Sequence, residues 1–408
     1  MTRATTEPVL DGASQPAEGQ TAELLATPLA ASLTTASSVA TPALELAAYR
    51  GALTPLHLDA PEVETGALLR GAAVHDLGWL RRVGVRGEDR ARWLSGMVTN
   101  AVETLPEHSG AYNLVLNAQG RIQGDLYVWR GGDDLEVEIA ADQTEALLGH
   151  FDRFIIMDDV ELVPLPQWSA LGITGPDAEL ILGKLGLPAL PEELSSVAGS
   201  AAGSAAGSVA GIPVRLDRGY GTLVPHYALW AAVGQIPALW QALVAAGATP
   251  VGAASLETLR IVEGVPAYGI DIQSRDLAQE TSQTRALSFT KGCYLGQEIV
   301  ERIRSRGQVH RFLRAVEVLP ERTGDLPAAG TELFSPNIAG KPAGTLTSVT
   351  ALQLDGALRV FGIAMVRAEA EIGNHPLTYP SGQALVFPGD PAGGTCRILN
   401  SPPKFTRA

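Results

Sequence analysis

Apolar positions along the chain change period several times, and each change predicts a different element. Alternation in GWLRRVGVRG (78–87) predicts a strand, and EDRARWLSGMV (88–98) spaces Ala91, Leu94 and Val98 for one helix face. AYNLVLN (111–117) and RIQGDLYVW (121–129) flank a short loop holding Gly120, which predicts a hairpin. In its second strand Ile122, Leu126 and Val128 share a face with Gly124, a position that leaves room for a close approach. LEVEIA (135–140) alternates cleanly. Asp142 and Glu145 are then placed as N-cap and third-position partner of a helix reaching about Arg153, and DDVELV (158–163) closes the unit.

A similar order follows. WSALGIT (168–174) reads as a strand, Pro176 starts a helix, and IPVRLD (212–217) begins further strand. Pro237 opens a helix ending near Gly247, and Ser255 is placed to cap another through SLETLRIVEG. Two successive α+β units suggest an internal pseudo-repeat. From about residue 311 short apolar runs broken by Gly and Pro, such as GTLTSV (344–349) and GIAMV (362–366), predict a small all-β barrel or sandwich.

Two stretches lack any period. Residues 1–48, rich in Ala, Thr, Ser and Pro, are expected to be a disordered tail. SSVAGSAAGSAAGSVAG (195–211) carries no charge and is expected to be a flexible insertion. The expected domains are then 49–166 and 167–310, each an α+β lobe, and a β-barrel over 311–408.

Composition narrows the function. The 408 residues hold 30 Lys plus Arg against 44 Asp plus Glu, a net charge of −14, so a nucleic-acid site would have to be a local basic patch. Two cysteines, Cys293 and Cys396, exclude a disulfide scaffold and a self-sufficient four-cysteine metal site, and no metal is expected. The start of the chain does not read as a secretory signal. The apolar stretch 228–248 is broken by Gln235, Pro237 and Gln241, so a soluble, cytoplasmic protein is expected.

Residues 285–314 stand apart, with seven basic side chains against two acidic ones. That contrast marks either an anionic partner or a solvated helix face. LGQEIVERIRSR reads as a helix with Glu298 and Glu301 early and Arg302, Arg304 and Arg306 late, an order that suits the helix dipole, and Gly307 stops it. Cys293 is expected at or just before that helix start, two residues after Lys291, surroundings that favour a thiolate. Cys396 has no such neighbours and is assigned to packing.

KGCYLGQE (291–298), with WLRRVGVRGEDRARWLSGMVTNAV (79–102), NAQGRIQGDLYVW (117–129) and RIVEGVPAYGIDI (260–272), resembles the YgfZ family. These are folate-binding proteins related to the T-protein, the aminomethyltransferase of glycine cleavage. The resemblance covers most of residues 75–400. It implies two ferredoxin-like α+β lobes plus a C-terminal β-barrel, arranged as a three-lobed T-protein-like ring around a folate-sized channel.

The resemblance also implies tetrahydrofolate as cofactor and a role in assembling or repairing iron–sulfur enzymes, including those that thiolate tRNA. Cys293 and Lys291 are then the reactive pair, supported by Gly292, Tyr294, Gly296, Gln297 and Glu298. Tyr112, Asp125, Tyr220 and Arg260 are the expected folate contacts, with Tyr112 and Tyr220 placed to stack on a pterin. T-proteins carry two successive acids where this chain has Gly124-Asp125, and the first, which serves methylene transfer, is here Gly124. Their Gly-Tyr-Thr-Gly stretch with a following pterin-holding Glu becomes Gly219-Tyr220-Gly221-Thr222, with no Glu in the next several positions.

Three readings follow. The first is a folate-binding accessory factor for iron–sulfur client proteins, with no catalysed reaction fixed by the sequence. The second is a folate-dependent aminomethyltransferase, disfavoured by those two departures. The third is a noncatalytic RNA-contacting module on the arginines of 302–314, with Arg302, Arg304 and Arg306 as an anion-binding patch, weakened because Phe312 is the one aromatic among them.

Overall fold

The computed structural model describes residues 24–36, 44–132, 134–187, 190–197, 207–321, 326–354, 356–380 and 392–405. Helix α1 (Pro28–Ala36) precedes a hairpin of β1 (Leu46–Tyr49) and β2 (Ala52–Pro55), then α2 (Pro61–Arg70). Next come β3 (Ala73–Asp76), β4 (Leu80–Arg86), α3 (Arg90–Met97), β5 (Ser109–Leu116) and β6 (Ile122–Arg130). The first unit ends with β7 (Leu135–Ala140), α4 (Ala141–Asp152) and β8 (Glu161–Pro164). The second contains β9 (Trp168–Thr174), α5 (Ala178–Lys184), β10 (Ser195–Val197), β11 (Ser208–Val209), β12 (Ile212–Pro213) and β13 (Arg215–Arg218). It continues through β14 (His226–Ala232), α6 (Ile236–Ala245), β15 (Thr249–Val251) and α7 (Ala253–Glu263). Helix α8 (Gln297–Arg306) leads into β16 (Arg311–Pro320), β17 (Glu332–Leu333), β18 (Gly344–Leu354), β19 (Ala357–Arg367), β20 (Leu377–Pro380) and β21 (Ala392–Ile398).

The two α+β units share one eleven-stranded sheet, ordered β15-β3-β9-β14-β13-β10-β5-β6-β7-β4-β8. Strand β10 is the join: it pairs with β13 over Ser195–Val197 and meets β5 at Ser195–Ser109. Strand β3 belongs to the second half, antiparallel to β9 and parallel to β15, so residues well before 166 build both halves. Each half buries its own apolar core, one around Leu171, Leu229 and Trp240 and the other around Val85, Leu126 and Phe151. The C-terminal sheet, ordered β17-β18-β19-β16-β21-β20, curls until Phe334 and Thr378 exchange main-chain bonds of 2.8 and 2.9 Å. It is a near-closed, six-stranded antiparallel barrel, and the mixed α/β architecture with its terminal barrel is the one expected.

Three expectations need correction. The tail read as disordered to residue 48 contains α1, whose Leu29 and Ala30 are buried, because Thr27 and Leu29 find partners far along the chain; 1–23 and 37–43 lie outside the described residues. The insertion read as flexible over 195–211 starts with β10 and ends with the β11–β12 hairpin, where backbone bonding to β13 and β5 replaces the side-chain burial it lacks; 198–206 lie outside the described residues. Neither expected cap is one: Asp142 lies inside α4 after Ala140, and Ser255 lies inside α7, where its hydroxyl donates to the buried Glu64. Among the described residues no helix is long and apolar enough to cross a membrane.

Candidate functional site

Between the two halves of the sheet and α7 lies a cavity of about 280 Å³. Its floor is set by β6. Strand alternation turns Asp125 toward the cavity, while a Cβ at Gly124 would stand 2.8 Å from Gln143 Oε1 and 2.9 Å from the Leu147 methyls of α4. That is the close approach anticipated at Gly124. Position 124 faces a packed helix, and the cavity-facing member of the pair is Asp125. Gln143 holds Asp125 from both sides: its Nε2 donates to Oδ1 at 2.8 Å and its Oε1 accepts the Asp125 amide at 3.0 Å. The Tyr112 hydroxyl donates to Oδ2 at 2.7 Å. Burial, with this carboxyl beside it, holds the Tyr112 phenol well above its usual range.

Arg285 enters from the segment before the motif. Its guanidinium lies 3.8 Å from the ring centroid of Tyr220 and 4.3 Å from that of Tyr112, so the two rings expected to stack on a pterin enclose an arginine instead. Nη1 donates to the Tyr127 hydroxyl and Nε to Gln283 Oε1, both at 3.1 Å. Arg260 also lines the cavity, but its charge is spent on Glu257 and Asp271, and it reaches the barrel at Ser348. It is a clamp between α7 and the barrel.

The opposite wall carries His75 together with Thr174, His226 and Glu263, the last three passed over by the sequence reading. Glu263, the last residue of α7, accepts the amides of Leu223 and Val224 at 3.0 and 3.4 Å and pairs with His226 Nε2 at 2.9 Å. A carboxyl thus reaches the residues that follow the Gly219–Thr222 stretch from another element, although its oxygens are engaged. An acid at a helix C-terminus opposes the dipole, which is the one readable sign that Glu263 has other work. His226 Nδ1 lies 3.4 Å from Thr174 Oγ1, which lies 3.0 Å from His75 Nε2. The His75 ring rests on Gly172, where a Cβ would stand 1.9 Å from Cε1.

These two imidazoles titrate in opposite senses. Burial, with His226 nearby, pulls His75 from 6.5 down to about 3, whereas His226 is raised because Glu263 outweighs the opposing effect of burial. Between pH 6.5 and 3 the unfolded chain takes up a proton that native His75 refuses, so stability falls on acidification across that window. The His226–Glu263 pair stabilises below the unfolded histidine value, and that gain is lost as pH rises through the raised native one. His75→Gln should therefore flatten the acid limb of the stability–pH curve by a few kcal/mol, on the order of magnitude expected for such a shift. Urea unfolding from pH 7 to 4 measures it, and an unchanged slope would remove His75 as the cause.

The motif lies apart from this cavity. Lys291 Nζ donates to the carbonyls of Ser95 in the last turn of α3 and of Val98 and Asn100 just beyond it, and burial brings its pKa down to about 8. The expected Lys291–Cys293 pair gives way to a clamp on main-chain carbonyls. Gly296 adopts φ 82° against Asn117 O, and Ile299 packs on Gly120, so the motif locks α8 to the β5–β6 turn. Tyr294 is buried, and Gln297 accepts its amide at 3.2 Å. Cys293 is exposed, as are Gly292 and Glu298. Helix α8 begins at Gln297 with Gly296 as N-cap, so Cys293 stands three residues outside the cap rather than at the helix start. Arg302, Arg304 and Arg306 are exposed; Arg304 pairs with Glu301 at 3.3 Å and covers the Phe289 ring. Cys396 is buried in the barrel core, which pushes its thiol up to about 12. Among the described residues no group of three or more His, Cys, Asp or Glu side chains is placed to hold a metal.

Two sheet units, a barrel and a cavity floored by a latched acid define an aminomethyltransferase-like fold. The structure of glycine cleavage system aminomethyltransferase T from Bartonella henselae matches it with a TM-score of 0.77, over 93% of this chain and 97% of that one, at 17% identity. The family model described as the GCVT N-terminal domain matches residues 47–291, more than half of the chain, and the chain belongs to that family. It is 28% identical over 327 residues to an aminomethyltransferase of Rubrobacter xylanophilus, covering 80% of this chain and 84% of that protein. It is 25% identical over 314 residues to an aminomethyltransferase of Stenotrophomonas maltophilia, covering 72% and 85%.

Proposed function

We propose that this protein holds a tetrahydrofolate in the cavity and serves the assembly or repair of iron–sulfur enzymes, tRNA-thiolating enzymes among them. Within the GCVT family it is then a YgfZ-type member. The observation that carries the folate half is the cavity itself, whose Asp125 carboxyl is fixed by Gln143 and Tyr112 where a ligand nitrogen can meet it. The residues fit the group, with aromatic walls for its rings and an acceptor for its N–H groups. The accessory half rests on the resemblance around KGCYLGQE and on the exposure of Cys293 in a loop whose Lys291, Tyr294 and Gln297 are committed to packing and hydrogen bonds.

Aminomethyl transfer is the second reading, and one observation favours it: Asp125 keeps a carboxyl at the cavity face of the hairpin. Against it, the Glu263 carboxyl is already engaged by His226 and by the Leu223 and Val224 amides.

Titration with tetrahydrofolate, followed by an assay of glycine-dependent one-carbon transfer, separates these readings. Binding is expected, with Asp125→Asn weakening it by about tenfold or more. Transfer activity is not. Cys293→Ala should leave folate affinity and thermal stability unchanged and abolish rescue of iron–sulfur enzyme activity in cells lacking the protein. Full rescue would sink the role of the thiol, and robust glycine-dependent transfer would replace the accessory reading with the enzymatic one.

A further inference from the structure

Three arginines, Arg50, Arg260 and Arg285, line the cavity. Arg50 has Asp142 at 3.9 Å, and Arg260 has Glu257 and Asp271. Arg285 has no carboxylate within ion-pair distance among the described residues; its partners are a phenol, an amide oxygen and two aromatic faces. Nη2 takes no part in either hydrogen bond. A half-buried charge that faces a cavity with only neutral partners is left unbalanced, and an anion is what offsets it.

The setting is also rigid. The rings of Tyr112 and Tyr220 both lie against the guanidinium, while Tyr127 and Gln283 hold it by hydrogen bonds. Tyr112 is held in turn by Asp125. An arginine so placed loses little conformational freedom on binding, and its planar fork matches a carboxylate better than a compact ammonium would.

We infer that Arg285 is the receptor for a ligand carboxylate in the cavity, and that the ligand is seated by this pair as well as by Asp125. The inference deepens the folate reading without depending on it, because the carboxylate has two possible sources. One is the glutamyl tail of a folate; the other is a small amino acid bound beside it, such as glycine. In both cases Tyr112 and Tyr220 are positioning residues for the arginine rather than a stacking slot for the pterin.

The test uses the full chain, wild type and Arg285→Gln, titrated calorimetrically with tetrahydrofolate, p-aminobenzoylglutamate, 6-methyltetrahydropterin and glycine. If the folate tail supplies the carboxylate, Arg285→Gln weakens tetrahydrofolate and p-aminobenzoylglutamate by about tenfold or more and leaves the carboxyl-free 6-methyltetrahydropterin within about twofold. If an amino acid supplies it, tetrahydrofolate is unchanged and glycine binding is lost. Either result supports the inference, and the second does so even where no folate binds. Affinities unchanged for every carboxylate probe overturn it while leaving the folate reading intact; absence of any carboxylate binding to the wild type overturns it as well, and takes the folate reading with it. Should Arg285→Gln unfold, Arg285→Lys keeps the charge and still removes the planar fork, and the same loss for carboxylate probes alone is expected.

Discussion

Arg82→Met is expected to cost about 3–5 kcal/mol, enough to threaten folding, because it strips the cation from a buried charge cluster. Arg82, on β4, is 4% exposed and reaches Glu136 at 3.3 Å, Glu138 at 2.9 Å and Asp217. Arg215 pairs with Glu136 at 2.7 Å and with Asp217 at 3.0 Å. Three acids therefore share two arginines, and the guanidinium of Arg82 also lies over Trp129 and Trp230. The cluster bridges β4 and β7 of the first half to β13 of the second, so its loss loosens the join of the two halves. Removing Arg82 leaves the carboxylates buried with Arg215 alone, a far larger penalty than loss of a surface pair.

The pH dependence checks the cause. Burial already raises Glu138 above its usual value against the pull of Arg82. An acid whose native pKa is raised gains stability as pH falls, since the folded state then binds more protons. The deficit of Arg82→Met should accordingly narrow between pH 7 and pH 5. Urea unfolding at both values measures it. A loss below about 1 kcal/mol at pH 7 would mean that water or a rearranged Arg215 already neutralises the cluster.

Local patterns in the chain announced the local structure. Gly120 between two alternating runs announced the β5–β6 hairpin, and the acidic-to-basic gradient from Glu298 to Arg306 announced α8. Cys396, outside any motif or helix start, proved to be a core residue of the barrel. What stayed hidden depends on partners distant in sequence. Arg285 stood out as a basic residue, but its place between Tyr112 and Tyr220 comes from packing α8 and its approach against the hairpin. Glu263 meets the Gly-Tyr stretch across some forty residues of chain, and no motif spans such a gap. Gly124 was legible as a close approach, but not which of Gly124 and Asp125 faces the cavity. Single-strand alternation decides that question once the cavity is located.

The N-terminal segment carries the second large effect. Leu29 is 1% exposed in the core that also holds Leu171 and Trp240, so Leu29→Ala should cost about 2–5 kcal/mol through lost burial and the space left behind. Thr27 is buried; its hydroxyl donates to Asp76 and accepts the Ala30 amide at 3.1 Å, which starts α1. Asp76, raised by burial, also accepts from Thr54 at 3.2 Å and from the Gly78 amide at 2.8 Å. Thr27→Val would remove one of those donors and should cost about 1–3 kcal/mol. Its reach extends to the ligand site, because the Asp76 carbonyl accepts from Trp79 Nε1 at 3.2 Å and Leu77, Trp79 and Leu80 line the cavity. Thr27→Val should thus lower folate affinity as well as stability, whereas Thr35→Val, on the exposed end of α1, should change neither by more than about 0.5 kcal/mol. Chemical unfolding and folate titration of the three variants test this, and a wild-type unfolding midpoint for Leu29→Ala would show that α1 does not dock on the core in solution.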